Sequence, residues 1–266
     1  LYRPVLPEHF REVAEPAGVT ATVIVEASPL LQDNQWILDL AKNDTSIVGL
    51  VGHVDPGKEE FQAQIDRFAQ NPLFRGIRVG AFESGKEMSS EFRANFFDNL
   101  AAKTLLHDFE HLAEKDLELD TLVGYDNLTG VIDVARELPQ LRIVINHVAQ
   151  VAIDGKEPSR QWIDAMQRSA THANVYCKVS GLMESCFDKP APAEVDYYRP
   201  VLDGLWESFG EDRLIFGSNW PVCEPAGDYK LAVEIVSTFF KEKGDAALEK
   251  VLSGNAKAAY KWVDRS

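Results

Sequence analysis

The 266-residue sequence predicts an α/β fold, a (β/α)8 barrel of the TIM type. Seven short apolar runs rich in β-branched residues recur along the chain. Each run is followed by turn residues and then by a stretch with helical periodicity. Runs that are almost continuously apolar are typical of parallel strands buried on both faces. A polar residue stands near the end of almost every run, where a barrel of this type carries its active site.

The predicted strands are the seven apolar runs, which span residues 22–27, 47–54, 76–80, 119–123, 142–147, 175–179 and 213–218. Helical spacing of apolar side chains follows in residues 34–42, 59–69 and 127–138. The final stretch, 227–266, predicts two closing helices, 229–240 and 246–262, separated by Gly244. Alternation of strand and helix without a second hydrophobic block predicts a single domain over residues 1–266.

Seven strands are one fewer than a closed barrel of this type contains. We expect the first strand to lie upstream of Leu1, because the sequence begins without an initiator methionine or a signal peptide. The alternative is an open, doubly wound sheet. That fold usually shows a Gly-rich phosphate loop after an early strand, and this sequence has none. The barrel is therefore the preferred prediction.

Composition and charge exclude several classes of partner. The chain carries 42 acidic against 27 basic residues, a formal net charge of −15, which repels nucleic acid and anionic membranes. No apolar run approaches the roughly 20 residues that span a bilayer. The three cysteines are odd in number and form no CxxC pair, which favours a reducing compartment, the cytoplasm. A small-molecule substrate remains as the expected partner, and no feature predicts an oligomeric state.

Polar side chains at the ends of the predicted strands are the candidate site residues: Glu26, His53, Arg78, Asp120, His147, Lys178 and Asn219. Such groups are costly to bury without partners, so their common position predicts a shared polar pocket. The alternative is structural. Arg78 and Lys178 would then form interior ion pairs, and their partners would be Glu26 or Asp120. His147 would be a hydrogen-bonded core residue, and His53 and Glu26 would only brace the pocket floor.

Three further features carry other hypotheses. Trp220, beside the last strand end, either stacks on a sugar or planar ring or merely packs. Cys223 has no obvious base beside it, so a core role is preferred to that of a nucleophile. His107 to His111 fit the H-x-x-E-H spacing of a helix-borne zinc peptidase, although a solvated helix face is the preferred interpretation of this charged stretch.

Five segments carry recognisable motifs. The most specific are residues 212–223, DRLIFGSNWPVC, and 174–182, NVYCKVSGL; the others are 74–78, 145–147 and 254–260. In this order, and over essentially the whole chain, they resemble the strand and closing-helix motifs of the amidohydrolase-2 family, the fuconolactonase-like metal-dependent hydrolases of the amidohydrolase superfamily.

The resemblance implies a hydrolase of carbohydrate metabolism that opens a lactone, a sugar-acid lactone or a related cyclic ester, by attack of an activated water. It also implies a divalent metal such as zinc, held by a His-x-His pair on the first strand, a His on a later strand and an Asp on the last strand. Here His147 and Asn219 are the expected metal ligands. The His-x-His pair does not occur, and Asn219 stands where most relatives have Asp, so a site without metal is the alternative.

The catalytic residues implied by the resemblance are His147, Asn219 and His53. A carboxamide cannot accept a proton at neutral pH, so Asn219 would orient water or substrate, and His53 or His147 would act as base. An acidic or polyhydroxylated substrate would contact Arg78, Lys178, Glu26, Asp120 and Trp220. The alternatives to a lactonase are a non-catalytic or truncated barrel, and a decarboxylase or hydratase on the same scaffold.

Overall fold

The computed structural model describes residues 3–83 and 86–265. Strands β1 to β9 span Thr22–Val25, Ile47–Gly52, Phe74–Val79, Phe82–Glu83, Lys86–Glu87, Glu118–Thr121, Arg142–Ile145, Val175–Val179 and Leu214–Phe216. Helices α1 to α11 span Pro7–Ala14, Leu31–Ala41, Phe61–Phe68, Ser90–Asp98, Lys103–Glu114, Leu128–Glu137, Arg160–Ala170, Arg199–Phe209, Tyr229–Lys243, Asp245–Glu249 and Asn255–Tyr260. Strands β4 and β5 form a short antiparallel hairpin, and the others form one parallel sheet in the order β1-β2-β3-β6-β7-β8-β9.

The seven predicted strands correspond to the seven strands of the parallel sheet, and the three predicted intervening helices correspond to α2, α3 and α6. Several strands are shorter than the predicted runs, and Glu26 and His53, near the ends of their runs, belong to the following loops. The strict alternation of strand and helix is wrong at one point. The β4–β5 hairpin and both α4 and α5 lie between β3 and β6.

The parallel sheet curls around its own interior. Val51 on β2, Val144 on β7 and Ile215 on β9 pack in one buried cluster with Tyr260, although none of these three strands are neighbours in the sheet. Side chains from such distant strands meet only when the sheet curves toward a barrel. The structure therefore supports a barrel of the TIM type. The strand expected upstream of Leu1 lies outside the chain and stays a prediction.

Helices cover the outer face of the curled sheet and bury a larger apolar layer against it. Trp162 and Met166 on α7, for example, are completely buried there. Side-chain caps start several of these helices: Ser159 accepts a hydrogen bond from the Trp162 N–H, and Asp228 accepts one from the Leu231 N–H. Within the described ranges, no helix combines the length and the apolar character needed to cross a membrane.

The end of the chain covers the amino-terminal end of the barrel. Arg142, at the start of β7, donates to the Ala259 carbonyl at 2.6 Å, and the Val263 N–H donates to the Val48 carbonyl at 2.9 Å. The single closing helix predicted over 246–262 is wrong. The segment is helical from Asp245 to Tyr260 but contains a π-helical turn over Lys250–Gly254 between α10 and α11, and the Asn255 side chain donates to the Leu214 carbonyl at 2.8 Å. The carboxyl ends of the strands are therefore the accessible end.

Candidate active site

The predicted site residues gather at or just below the carboxyl ends of the parallel strands. Glu26, His53, His147 and Asn219 lie one to three residues beyond their strands. Arg78, Asp120 and Lys178 lie within the last residues of theirs. The structure divides them into a cluster at the ends of β1 to β3, an ion pair inside the barrel, and two residues on the loops after β7 and β9.

Glu26, His53, Asp55 and Arg78 form the first group, named here the His53 cluster. Because β1 and β2 are parallel neighbours, Glu26 and His53 leave the sheet side by side, and Glu26 Oε2 lies 2.7 Å from His53 Nδ1. Arg78 on β3 donates to Glu26 Oε1 at 3.1 Å and to the Glu26 carbonyl at 2.7 Å. The buried carboxylate thus holds both cationic side chains in place, in agreement with the bracing role considered for Glu26.

His53 carries a positive charge at neutral pH. Burial lowers the pKa of its imidazole, but the carboxylates of Asp55 and Glu26 outweigh burial and raise the pKa to about 9. Its second nitrogen, Nε2, lies 3.3 Å from Asp55 Oδ1 without the alignment of a hydrogen bond, and it is buried without an aligned acceptor among the described residues. The imidazolium therefore lies between two carboxylates, those of Glu26 and Asp55.

A cavity of about 130 Å³ adjoins the His53 cluster. His53, Asp55 and Arg78 supply its polar wall. Apolar side chains from the hairpin and its surroundings, among them Phe82 and Met88, supply the opposite wall. A small cavity with few polar groups on an apolar background is typical of a small-molecule site.

Lys178 and Asp120 form the ion pair inside the barrel. Lys178 Nζ lies 2.6 Å from Asp120 Oδ2, and the Tyr260 hydroxyl donates to Asp120 Oδ1 at 3.0 Å. Asp120 is completely buried and Lys178 nearly so. Substrate binding by these two residues stays a prediction; in the structure both oxygens of Asp120 are engaged by Lys178 and Tyr260. The structural alternative, a carboxylate that pairs with Lys178, describes the contact.

His147 begins a left-handed turn after β7. The φ angles of His147, Val148, Ala149 and Gln150 are all positive, between 47° and 55°, which is strained for a β-branched residue. The Trp162 indole N–H anchors this turn by donating to the Val148 carbonyl at 2.9 Å. The turn thus holds the His147 side chain in one place at the barrel mouth.

The imidazole of His147 is oriented and uncharged. Nδ1 lies 2.8 Å from Ser180 Oγ, on the loop after β8, and Nε2 has no protein partner among the described residues. Burial and the positive charges of Lys178 and Arg78 lower the pKa of His147 to about 3, so the ring is neutral at physiological pH. A neutral ring with one free nitrogen can accept a proton or bind a ligand.

Asn219, after β9, pairs with a carboxylate that the sequence did not single out. Its Nδ2 donates to Glu184 Oε1 at 2.6 Å. Burial raises the pKa of Glu184, while the Asn219 hydrogen bond opposes this rise. Glu184 lies on the same loop as Ser180, so this loop contacts both predicted catalytic residues of the mouth.

Trp220 is held by protein contacts. Its indole N–H donates to Glu224 Oε1 at 3.0 Å, and its ring lies 5.8 Å from that of Phe10. These contacts agree with the packing role considered for Trp220, and stacking on a substrate stays an untested prediction.

Two comparisons with known proteins agree on the family. The sequence model described as Amidohydrolase matches residues 1–262. An L-fucono-1,5-lactonase of Burkholderia ambifaria is 34% identical over 230 residues, which are 86% of this chain and 74% of the relative. The chain belongs to the amidohydrolase family. The family resemblance of the strand motifs is thus confirmed, and this amidohydrolase belongs among hydrolytic enzymes.

Solved structures of low sequence identity share the fold of this amidohydrolase. An amidohydrolase from Burkholderia multivorans with bound zinc aligns with a TM-score of 0.83 and 22% identity, over 98% of this chain and 89% of that one. A probable 2-pyrone-4,6-dicarboxylic acid hydrolase from Acinetobacter baumannii, with citric acid bound, aligns with a TM-score of 0.72 and 17% identity, over 98% and 91% of the two chains. At these identities the likeness concerns the fold alone.

The family implies a divalent metal, but the described residues of this amidohydrolase do not fit one. His147 offers one free nitrogen, and Asn219 offers a neutral amide oxygen in place of a carboxylate. Within residues 3–83 and 86–265, no three His, Cys, Asp or Glu side chains lie together as a metal site. A divalent cation in a protein usually needs three or more such ligands. His147 and Asn219, the expected metal ligands, therefore lack the further ligands that a metal site needs. The reaction proposed for this chain uses its own side chains.

Two alternative chemistries, a helix-borne zinc peptidase and a cysteine nucleophile, have little support in the geometry. On α5, His111 lies 3.0 Å from Asp66 Oδ1, and Asp108 accepts from the Gly57 N–H. Both contacts are those of a helix packed on its neighbours. Burial raises the pKa of the Cys223 thiol to about 12, which leaves it protonated and unreactive at neutral pH.

Three polar residues of the mouth were not predicted: Asp55, Ser180 and Glu184. Asp55 follows His53 by two residues, so its position near the end of a predicted strand could have identified it as a site residue. Ser180 lies within the NVYCKVSGL motif, directly after β8. Glu184 lies in an irregular loop, and no periodicity or spacing in the sequence connects it with Asn219.

Proposed function

We propose that this amidohydrolase opens a lactone, a sugar-acid lactone or a related cyclic ester, by adding water to the ring ester. The similarity to an L-fucono-1,5-lactonase, at 34% identity over most of both chains, supports a lactone as the substrate class. The polar mouth of the barrel supports the location, because barrel enzymes react at the carboxyl ends of their strands.

The observation that carries this proposal is the pair of cationic side chains, His53 and Arg78, that line the 130 Å³ cavity. Hydrolysis of an ester develops negative charge on the carbonyl oxygen. Two cationic side chains that line one cavity, both held in place by Glu26, suit that charge. Because the donors are fixed before substrate binds, little reorganisation is needed as the charge develops.

The reaction needs a proton acceptor, a proton donor and a positioned water. The water oxygen bonds to the carbonyl carbon, the bond from that carbon to the ring oxygen breaks, and the ring oxygen takes a proton, which gives a hydroxy acid. In this proposal the free Nε2 of His147 accepts the proton of the water, and negative charge that develops on the substrate offsets the positive charges of Lys178 and Arg78 that hold the pKa of His147 low. The base role considered for His53 stays a prediction; in this proposal its imidazolium protonates the ring oxygen instead.

A lactone panel tests the proposal. The purified chain is incubated with sugar-acid lactones, with and without added zinc or manganese, and ring opening is followed by acid release. We expect turnover by the wild type. We expect a loss of about 100-fold or more in kcat for H147Q, the usual cost of removing a general base. H107Q, the same change at an exposed position on α5, is the matched control and should keep full activity. Failure to open any lactone under either condition would refute the proposal and favour a non-catalytic barrel.

A further inference from the structure

We infer that Glu184 is a positioning residue of this site: by binding the amide nitrogen of Asn219, it leaves the Asn219 side-chain oxygen as a fixed acceptor for the attacking water. This inference rests on the proposed function. An aspartate at a strand end offers acceptor oxygens in either orientation, whereas an asparagine does so only if its amide faces the right way. Glu184 supplies that orientation.

The chemistry of the pair determines which atom faces which. A carboxylate oxygen accepts hydrogen bonds, so it pairs with the amide nitrogen of Asn219 and not with the oxygen. The contact between Asn219 Nδ2 and Glu184 Oε1 is short, at 2.6 Å. The other amide atom, Oδ1, has no protein partner among the described residues and is not sealed from solvent. It is thus the atom available to a water or a substrate.

The backbone restricts Asn219 further. Its φ angle is 55°, in the left-handed region, which asparagine adopts more readily than most residues. Its carbonyl accepts from the Cys223 N–H at 3.1 Å, and the following Trp220 N–H binds Ser218 Oγ at 3.2 Å. The main chain around Asn219 is therefore fixed by local hydrogen bonds. Rotation of the side-chain amide is the remaining freedom, and Glu184 removes it.

The loop that carries Glu184 is itself anchored against the proposed base. Ser180 Oγ contacts His147 Nδ1 at 2.8 Å. Gly181 has a φ angle of 68°, and a Cβ atom there would lie 2.9 Å from His147 Cβ. The loop after β8 therefore packs closely on the proposed base and also orients the proposed water acceptor. A hydrogen bond that served only to hold the two loops together would not need a carboxylate at position 184, because any hydrogen-bonding side chain could form it.

Three variants test the role of Glu184: E184Q, the double variant E184Q/N219D, and the control E157Q, which makes the same change at an exposed residue before α7. A glutamine at position 184 can still form a hydrogen bond with Asn219. Because it can do so through its amide oxygen or its amide nitrogen, it does not select one orientation of the Asn219 amide. For E184Q we expect kcat to fall about tenfold or more with KM changed less than about twofold, as for a misplaced reacting group. E157Q should match the wild type.

The double variant separates positioning from simple loop attachment. An aspartate at position 219 offers acceptor oxygens in both orientations, and the amide at position 184 can donate to it. We therefore expect kcat of E184Q/N219D to return to within about threefold of the wild type, since carboxylate oxygens are equivalent acceptors. Wild-type kcat in E184Q would overturn the inference, and so would a low kcat that N219D does not restore. If the wild type itself opens no lactone, the proposed function fails first, and the inference falls with it.

Discussion

Glu26 and His53 lie 2.7 Å apart, Oε2 to Nδ1, where two parallel neighbouring strands reach the barrel mouth. The same carboxylate binds Arg78 from the next strand through its other oxygen. One buried anion therefore holds two cations at the cavity wall. The arrangement keeps His53 protonated well above the pH at which a free histidine loses its proton.

The protonation of His53 predicts a pH-dependent stability. The folded pKa is about 9 and the ordinary value is 6.5, so folding is favoured by the bound proton. This contribution is complete below pH 6.5 and is lost as the pH rises through 9. At about 1.4 kcal/mol per pKa unit it is on the order of 3 kcal/mol. We expect the free energy of unfolding, measured in urea, to fall over this range for the wild type and to fall less for E26Q.

Nuclear magnetic resonance gives an independent check of the same pair. The His53 ring signals, assigned by comparison with H53Q, should titrate near pH 9 in the wild type and at a lower pH in E26Q, where only Asp55 still raises the pKa. A wild-type His53 that titrates below 7 would contradict the assignment of an imidazolium at the cavity.

Arg78 is expected to act in substrate binding. Its guanidinium lines the cavity and is held by two contacts with Glu26. R78A should raise KM by about tenfold or more, the usual cost of losing a hydrogen bond to a charged group. R78K keeps the charge but loses the planar fork, so it should lie between R78A and the wild type. Steady-state kinetics on a lactone measures both, and unchanged kinetics in R78A would exclude this role.

Much of the fold could be predicted because it depends on local pattern. Each strand of the parallel sheet is an apolar, β-branched run, and the strand ends brought Glu26 and His53 together as the parallel arrangement requires. The Glu184–Asn219 contact could not be predicted, since it joins two irregular loops 35 residues apart. The protonation states of the two histidines could not be predicted from the sequence either. The imidazoles of His53 and His147 differ only in the burial and charge of their surroundings.

Lys178 is expected to contribute to stability through its pair with Asp120. K178M would leave the fully buried Asp120 carboxylate without its cation, which typically costs about 3–5 kcal/mol. The double variant K178M/D120N, which removes both charges, should recover part of this loss. K42M, which breaks an exposed ion pair with Asp39, should change stability by less than about 1 kcal/mol. A K178M protein as stable as the wild type, but with a raised KM, would contradict this structural role and favour a role of Lys178 in substrate binding.

Glu118 is the most isolated polar side chain of the barrel interior. It is completely buried at the start of β6, and both carboxyl oxygens lack a hydrogen-bond partner among the described residues. Gly76 on the neighbouring β3 leaves room for it, since a Cβ there would lie too close to Glu118 Oε1. Burial and the negative charge of Asp120 raise the pKa of Glu118 well above its ordinary 4.5, against the opposing charges of Lys178 and Arg142. These surroundings favour the protonated form of Glu118 in the folded protein.

A raised carboxyl pKa in the folded state makes folding less favourable as the pH rises. Below pH 4.5 both the folded and the unfolded states hold the proton, so there is no penalty. Above pH 4.5 the unfolded state releases its proton while the folded state keeps it, which costs about 1.4 kcal/mol per pH unit until the folded pKa is reached. E118Q cannot ionise and should escape this cost. The stability of E118Q relative to the wild type should therefore grow between pH 5 and pH 8, as measured by urea denaturation. The exposed control E157Q should show no such trend, and parallel curves for E118Q and the wild type would mean that Glu118 is ionised in the folded barrel.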